Sequence, residues 1–183
     1  VPLKMAVSEV KRRLSDEHEY VPRLLGGKNI YLKSKSELSA AEIGTVTHFI
    51  LQHISEKEIF SKEDFFAAAE EMQKNGIISK SQLDAAELDA AADFVLSPLG
   101  ERMKKSGAVF KEFSFYSEKA AGDIFSELEG EKRKTGILLQ GTVDCFFEED
   151  GEFVLLDYKT DGISADEAEK RAEQYKIQID CYK

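Results

Sequence analysis

Asp150-Gly151 constrains this chain more than any other dipeptide in it. A two-residue type I′ hairpin turn needs positive φ at both central positions, and Asp-Gly is among the pairs that supply it cheaply. Strand-like runs flank it, Ile137 to Phe147 before and Glu152 to Thr160 after, rich in β-branched and aromatic residues. If Glu149 faces Glu152, the numbers of every directly opposed pair sum to 301. Asp144 then lies across from Asp157, and Lys159, two residues on, shares the face of Asp157. Directly opposed residues have Cβ atoms about 4.5–5.5 Å apart, where like charges repel. Two carboxylates so placed, beside Val154-Leu155-Leu156, call for a cation, and a hard divalent ion suits oxygen ligands. Geometry alone leaves open the alternative that both acids face water on an exposed hairpin. Glu148, Glu149 and Asp150 at the tip read as turn solvation.

The rest of the chain reads as helices before that hairpin and one helix after it. Ser8 to Arg12 starts a short helix, and residues 20–38, with Pro22 and Gly26-Gly27, read as loop. Apolar Ile43, Val46, Phe49, Ile50 and Ile54 recur at helical spacing, predicting a helix over 39–54. Ser61, followed three residues later by Asp64, caps a helix to Lys74. The Ala-rich stretch 79–96 predicts one continuous helix, broken at Ser97-Pro98 and followed by a short one to Lys105. Leu83, Leu88 and Val95 read as core or as an interface. Ala108 to Tyr116 is a first strand, residues 117–135 are loop with one short helix, and Ser164 caps a final helix. Helices, three strands and a helix suggest a single α/β domain over 1–183 with a helical insert at 57–105.

Charge and cysteine content narrow the function. A net charge of −10 argues against a protein that coats nucleic acid through bulk electrostatics. The N-terminal cluster Lys11, Arg12, Arg13, Arg23 and Lys28 reads either as a phosphate contact or as a solvated helix and loop. Cys145 and Cys181 are too few for a disulfide framework, a Cys-rich zinc site or a four-cysteine iron–sulfur site. No apolar run approaches the roughly 18 residues of a spanning helix, and there is no leader pattern. A cytoplasmic protein without membrane contact is expected. No phosphate-binding loop of the G-x-x-x-x-G-K-(S/T) type is present. Val1 and the mid-helix texture of Gln178 to Lys183 suggest a piece cut from a longer protein.

Asp144 followed by Asp157-Tyr158-Lys159 matches D…(D/E)-x-K, and further segments fall in place around it. Gly44 to His48 resembles the G-x-x-x-H helix of RecB-type nucleases, and Lys111 to Phe115 resembles their R-E-x-P-F strand, with Lys for Arg and Ser for Pro. Gln140 to Asp144 resembles G-x-(I/V)-D, Asp157 to Thr160 their D-Y-K-T stretch, and Gln178 to Tyr182 their Q-x-x-x-Y helix. The chain thus resembles the RecB family of PD-(D/E)xK nucleases, and within it the C-terminal nuclease domains of AddA-type helicase–nuclease proteins.

That resemblance implies a restriction-endonuclease-like core, a central mixed sheet flanked by helices. It implies a divalent-metal-dependent DNA exonuclease, part of an ATP-dependent helicase–nuclease in bacterial double-strand-break repair by recombination. The alternative is a catalytically inactive module of the same fold that binds DNA or docks another subunit. The implied metal ligands are His48, Asp144 and Asp157, for Mg²⁺ or Mn²⁺. Asp144, Asp157, Lys159, Gln178 and Tyr182 are the implied catalytic set. Gln178 and Tyr182, at i and i+4, share a helix face. Glu112 is either a further metal or water partner or the salt-bridge partner of a basic residue. His18 and His53 read as ordinary polar residues. The implied partners are a single DNA strand fed by a helicase and an AddB-like subunit.

Overall fold

A computed structural model describes residues 4–14, 38–125 and 127–159. The chain divides into two compact units. The first comprises residues 1–21, 112–143 and 161–183, and the second residues 22–111 and 144–160.

In the first unit, strand β1 (Lys4–Ala6) pairs in parallel with β3 (Gly136–Glu149), Lys4 opposite Leu138 and Ala6 opposite Gln140. β3 lies between β1 and β2 (Val109–Ala120). Helix α1 (Val7–Leu14) follows β1 directly. Met5, Val10, Ala121, Phe125, Ile137 and Leu139 make the core, with Ala121 on the short helix α7 (Ala121–Ile124). A Cβ on Gly141 would stand 2.7 Å from the Phe115 ring, so this glycine lets the ring lie flat on β3. The short β1 is not anticipated by the sequence reading. Three residues are too few to show a period of two.

The second unit is built from helices and the tip of a hairpin. Helix α2 (Ala40–His53) begins at a capping box in which Ser39 and Glu42 each bond the other's backbone amide. Helix α3 (Lys62–Lys74) opens with the same device from Ser61 and Asp64. The predicted 79–96 helix is two helices, α4 (Lys80–Ala85) and α5 (Leu88–Val95). Ala86 is extended between them, and the Glu87 amide donates 3.1 Å to the Thr47 hydroxyl of α2. A tertiary hydrogen bond therefore overrides strong local helix propensity. Helix α6 (Pro98–Lys105) carries Pro98 at its first position, where a missing amide costs nothing.

Phe65, Ala69 and Ala92 lie at the centre of this unit's core with Ile50. Leu83 and Val95 are buried in the same cluster and Leu88 packs against it, which resolves the insert leucines and valine as core. A second cluster, Met103, Cys145 and Phe147, joins α6 to the hairpin.

The hairpin forms in the expected register. Strand β4 (Glu152–Leu156) pairs antiparallel with β3, from Glu149 opposite Glu152 to Cys145 opposite Leu156. Asp150 and Gly151 both have positive φ, 53° and 81°. β4 ends at Leu156 rather than running to Thr160 as expected. Past that point the Tyr158 amide donates to a side chain, Asp144 Oδ2, at 2.8 Å. The mixed sheet with accompanying helices is the expected α/β class.

Candidate active site

The residues that matter here belong to the second unit. α2 presents His48 near its C-terminal end, with Thr47 buried beside it. One step past the last ladder pair, Cys145 opposite Leu156, come Asp144 and Asp157, near enough for the charge of Asp157 to act on Asp144. His48 Nδ1 lies 3.7 Å from Asp144 Oδ2. That same oxygen accepts the Tyr158 amide, so the carboxylate is held between a helix side chain and a backbone donor from the opposing segment. Asp157, only 9% exposed at its side chain, pairs with the Lys159 ammonium.

Tyr158, between the acid and the lysine, is a packing residue. Its ring stands edge-on to His48 at 5.6 Å and to Phe94 at 5.2 Å. The Cys145 thiol, in the cluster against which Tyr158 packs, points to Met103 Sδ at 3.7 Å. Burial pushes both the phenol and the thiol upward, so both stay neutral and neither supplies a nucleophile.

Asp144's carboxyl is held above its usual range, first by burial and then by the negative charge of Asp157. His48, the Tyr158 amide and Lys159 pull the other way, with less effect. Two carboxylates and an imidazole are the donor set of a hard-to-borderline divalent ion. His48, Asp144 and Asp157 therefore fit Mg²⁺ or Mn²⁺ by donor chemistry. Their side chains are not drawn into one ligand group: among the described residues no three His, Cys, Asp or Glu side chains cluster tightly enough to hold a metal ion. Lys159 engages Asp157 instead.

His48, Asp157 and Lys159 open onto a cleft of about 240 Å³. Glu87, Ala90, Ala91 and Phe94 also line it, with Leu99 and Leu156.

Gln178 and Tyr182 lie outside the described residues, as do His18 and Lys28. Glu112 lies in the first unit, exposed, with φ of 50°. His53 packs on Phe49 with its ring nitrogen 2.8 Å from the Phe49 carbonyl, an ordinary surface arrangement. Sequence reasoning did not assign the Tyr158 amide or Thr47 a part in the site. Thr47's position next to His48 was the one available signal.

Residues 18–183 match the model of the PD-(D/E)XK nuclease superfamily. Over its whole length the chain is 35% identical to an ATP-dependent helicase/nuclease subunit from Acetivibrio thermocellus, covering 15% of that protein. It is 34% identical to the subunit of the same name from Ruminiclostridium cellulolyticum, again covering 15%, and 30% identical to that of Alkaliphilus oremlandii, covering 16%. The chain therefore spans about one-sixth or less of the curated relatives it matches. No helix among the described residues is long and apolar enough to cross a membrane. With the family model matched from residue 18 to residue 183 and relatives 30–35% identical across the whole chain, the chain belongs to the PD-(D/E)XK nuclease superfamily.

Proposed function

We propose that this chain is a divalent-metal-dependent deoxyribonuclease, the exonuclease part of an ATP-dependent helicase–nuclease that processes double-strand breaks for recombination. In this reading a helicase delivers one DNA strand to the cleft, an AddB-like subunit completes the assembly, and the protein works in the bacterial cytoplasm. The observation that supports it is the meeting of Asp144 with the charge of Asp157, with His48 3.7 Å from Asp144 and Lys159 paired to Asp157. The printed names of the relatives, helicase/nuclease subunits, support the wider context.

His48, Asp144 and Asp157 would hold the Mg²⁺ or Mn²⁺. Such an ion, when bound, polarises a phosphodiester and lowers the pKa of an attacking water. The Tyr158 amide fixes the orientation of Asp144. Lys159 presents its ammonium to the phosphate oxygens as negative charge gathers on them, a donor role. Phe94, Ala90 and Leu99 exclude water from their part of the cleft.

The test is cleavage of single-stranded DNA with Mg²⁺ or Mn²⁺, comparing the unsubstituted protein with Asp157→Ala. Metal-dependent cleavage lost in Asp157→Ala is expected. DNA binding with no cleavage in either would identify an inactive DNA-binding or docking module.

A further inference from the structure

Lys111 stands on β2, and its side chain is only 16% exposed. An ammonium has three N–H donors and, when buried, must place all of them. Lys111 does so: Nζ lies 2.7 Å from Glu56 Oε2, 2.7 Å from the Ile54 carbonyl and 3.0 Å from the Leu51 carbonyl. Glu56, itself 9% exposed at its side chain, supplies the counter-charge that a buried cation needs. With its donors occupied by protein acceptors, Lys111 is not a phosphate contact.

The two carbonyls belong to the C-terminal end of α2, where the helix leaves its last carbonyls without partners inside the helix. Leu51 follows His48 by three residues, on the same face, and both line the cleft. One side chain from the strand therefore grips the end of the helix that carries His48.

We infer that Lys111, with Glu56 as its counter-ion, is a positioning residue for His48: it fixes how far α2 is advanced and thereby the 3.7 Å approach of His48 to Asp144. The inference deepens the proposed metal site and rests on it where Mn²⁺ serves as the probe.

The experiment uses the full natural chain without nucleotide. Lys111→Met, Lys111→Arg and Glu56→Gln are made alone and together with His48→Ala. Mn²⁺ affinity is measured by titration, and amide hydrogen exchange over residues 48–54 is followed in the metal-free protein. Lys111→Met should weaken Mn²⁺ about tenfold, as loss of a residue that orients a metal ligand does. In the His48→Ala background the same change should cost less than about twofold, because the coupling partner is gone. Lys111→Arg should recover most of the affinity, and exchange over 48–54 should accelerate in Lys111→Met. Equal losses in both backgrounds, or no loss, would overturn the inference. If Lys111→Met fails to fold, Glu56→Gln carries the same two-background comparison. If the unsubstituted protein binds no Mn²⁺, the metal reading falls, and unchanged exchange protection in the variants would then overturn the positioning role as well.

Discussion

Asp144→Asn should make the metal-free protein more stable while destroying its response to metal. Directly opposed hairpin positions put Cβ atoms about 5 Å apart. Two unit charges at that separation repel by about 3 kcal/mol at an effective permittivity of about 20. The Lys159 pairing on Asp157 and the 2.8 Å amide bond from Tyr158 offset part of this. A net strain of about 1–2 kcal/mol remains on the ionised pair. Asparagine keeps an oxygen for the Tyr158 amide and sheds the charge. In EDTA at pH 8, Asp144→Asn should therefore melt about 2–8 °C above the unsubstituted chain, at about 2–4 °C per kcal/mol for a domain of this size. At Mn²⁺ one hundred times its Kd, the unsubstituted chain gains about 2.7 kcal/mol and the variant little, so the order reverses. Thermal unfolding in both conditions measures this directly. A variant that melts lower in EDTA, or that gains as much from Mn²⁺ as the parent, would refute the account of a charge-strained pair completed by metal.

Lys159→Ala should lower the cleavage rate by about 10²–10³ while Mn²⁺ still binds, the usual cost of one lost transition-state donor; parental turnover would remove the lysine from the chemistry. Phe65, fully buried in the helical core, should cost about 3–5 kcal/mol as alanine, whereas Phe60, 79% exposed, should change the urea midpoint little. A loss under about 1 kcal/mol at Phe65 would mean that the core is not centred there. Asp64's carboxyl is held low, chiefly by the Phe60 amide and then the Ser61 side chain. A depressed folded-state pKa gives stability that is present above the unfolded value of about 3.9 and lost as pH falls through the folded one. Acid unfolding of Asp64→Asn should thus be shallower below about pH 4, and parallel curves would contradict the cap.

The acid pair was readable because a two-residue turn converts distance along the chain into an alignment across it. Asp150-Gly151 sets Cys145 opposite Leu156, and the two aspartates follow by counting. Helix starts were equally legible, since Ser39 and Ser61 act through partners three residues away. What escaped reading depends on partners far along the chain. The break at Ala86 answers to Thr47, bonded 40 residues back from Glu87, and nothing in an Ala-rich window announces it. β4 stops early because a side-chain carboxylate claims the Tyr158 amide. Lys111 was visible as part of a motif, but its hold on Leu51 and Ile54 spans about 60 residues and has no local signature. Glu112's φ of 50° is likewise a property of the folded strand rather than of its sequence neighbours.

The Thr47 hydroxyl does two things at once: it donates 3.0 Å to the Ile43 carbonyl within α2 and accepts the Glu87 amide at the head of α5. Helix α5 is thereby hung on the residue next to His48, and its Ala90, Ala91 and Phe94 line the cleft. Helices α2 and α5 are therefore coupled through one hydroxyl. A chimaera that imports a foreign α5 keeps the width of the cleft only if position 47 offers a hydroxyl at the height where the incoming helix begins, so α2 and α5 must be engineered as one piece.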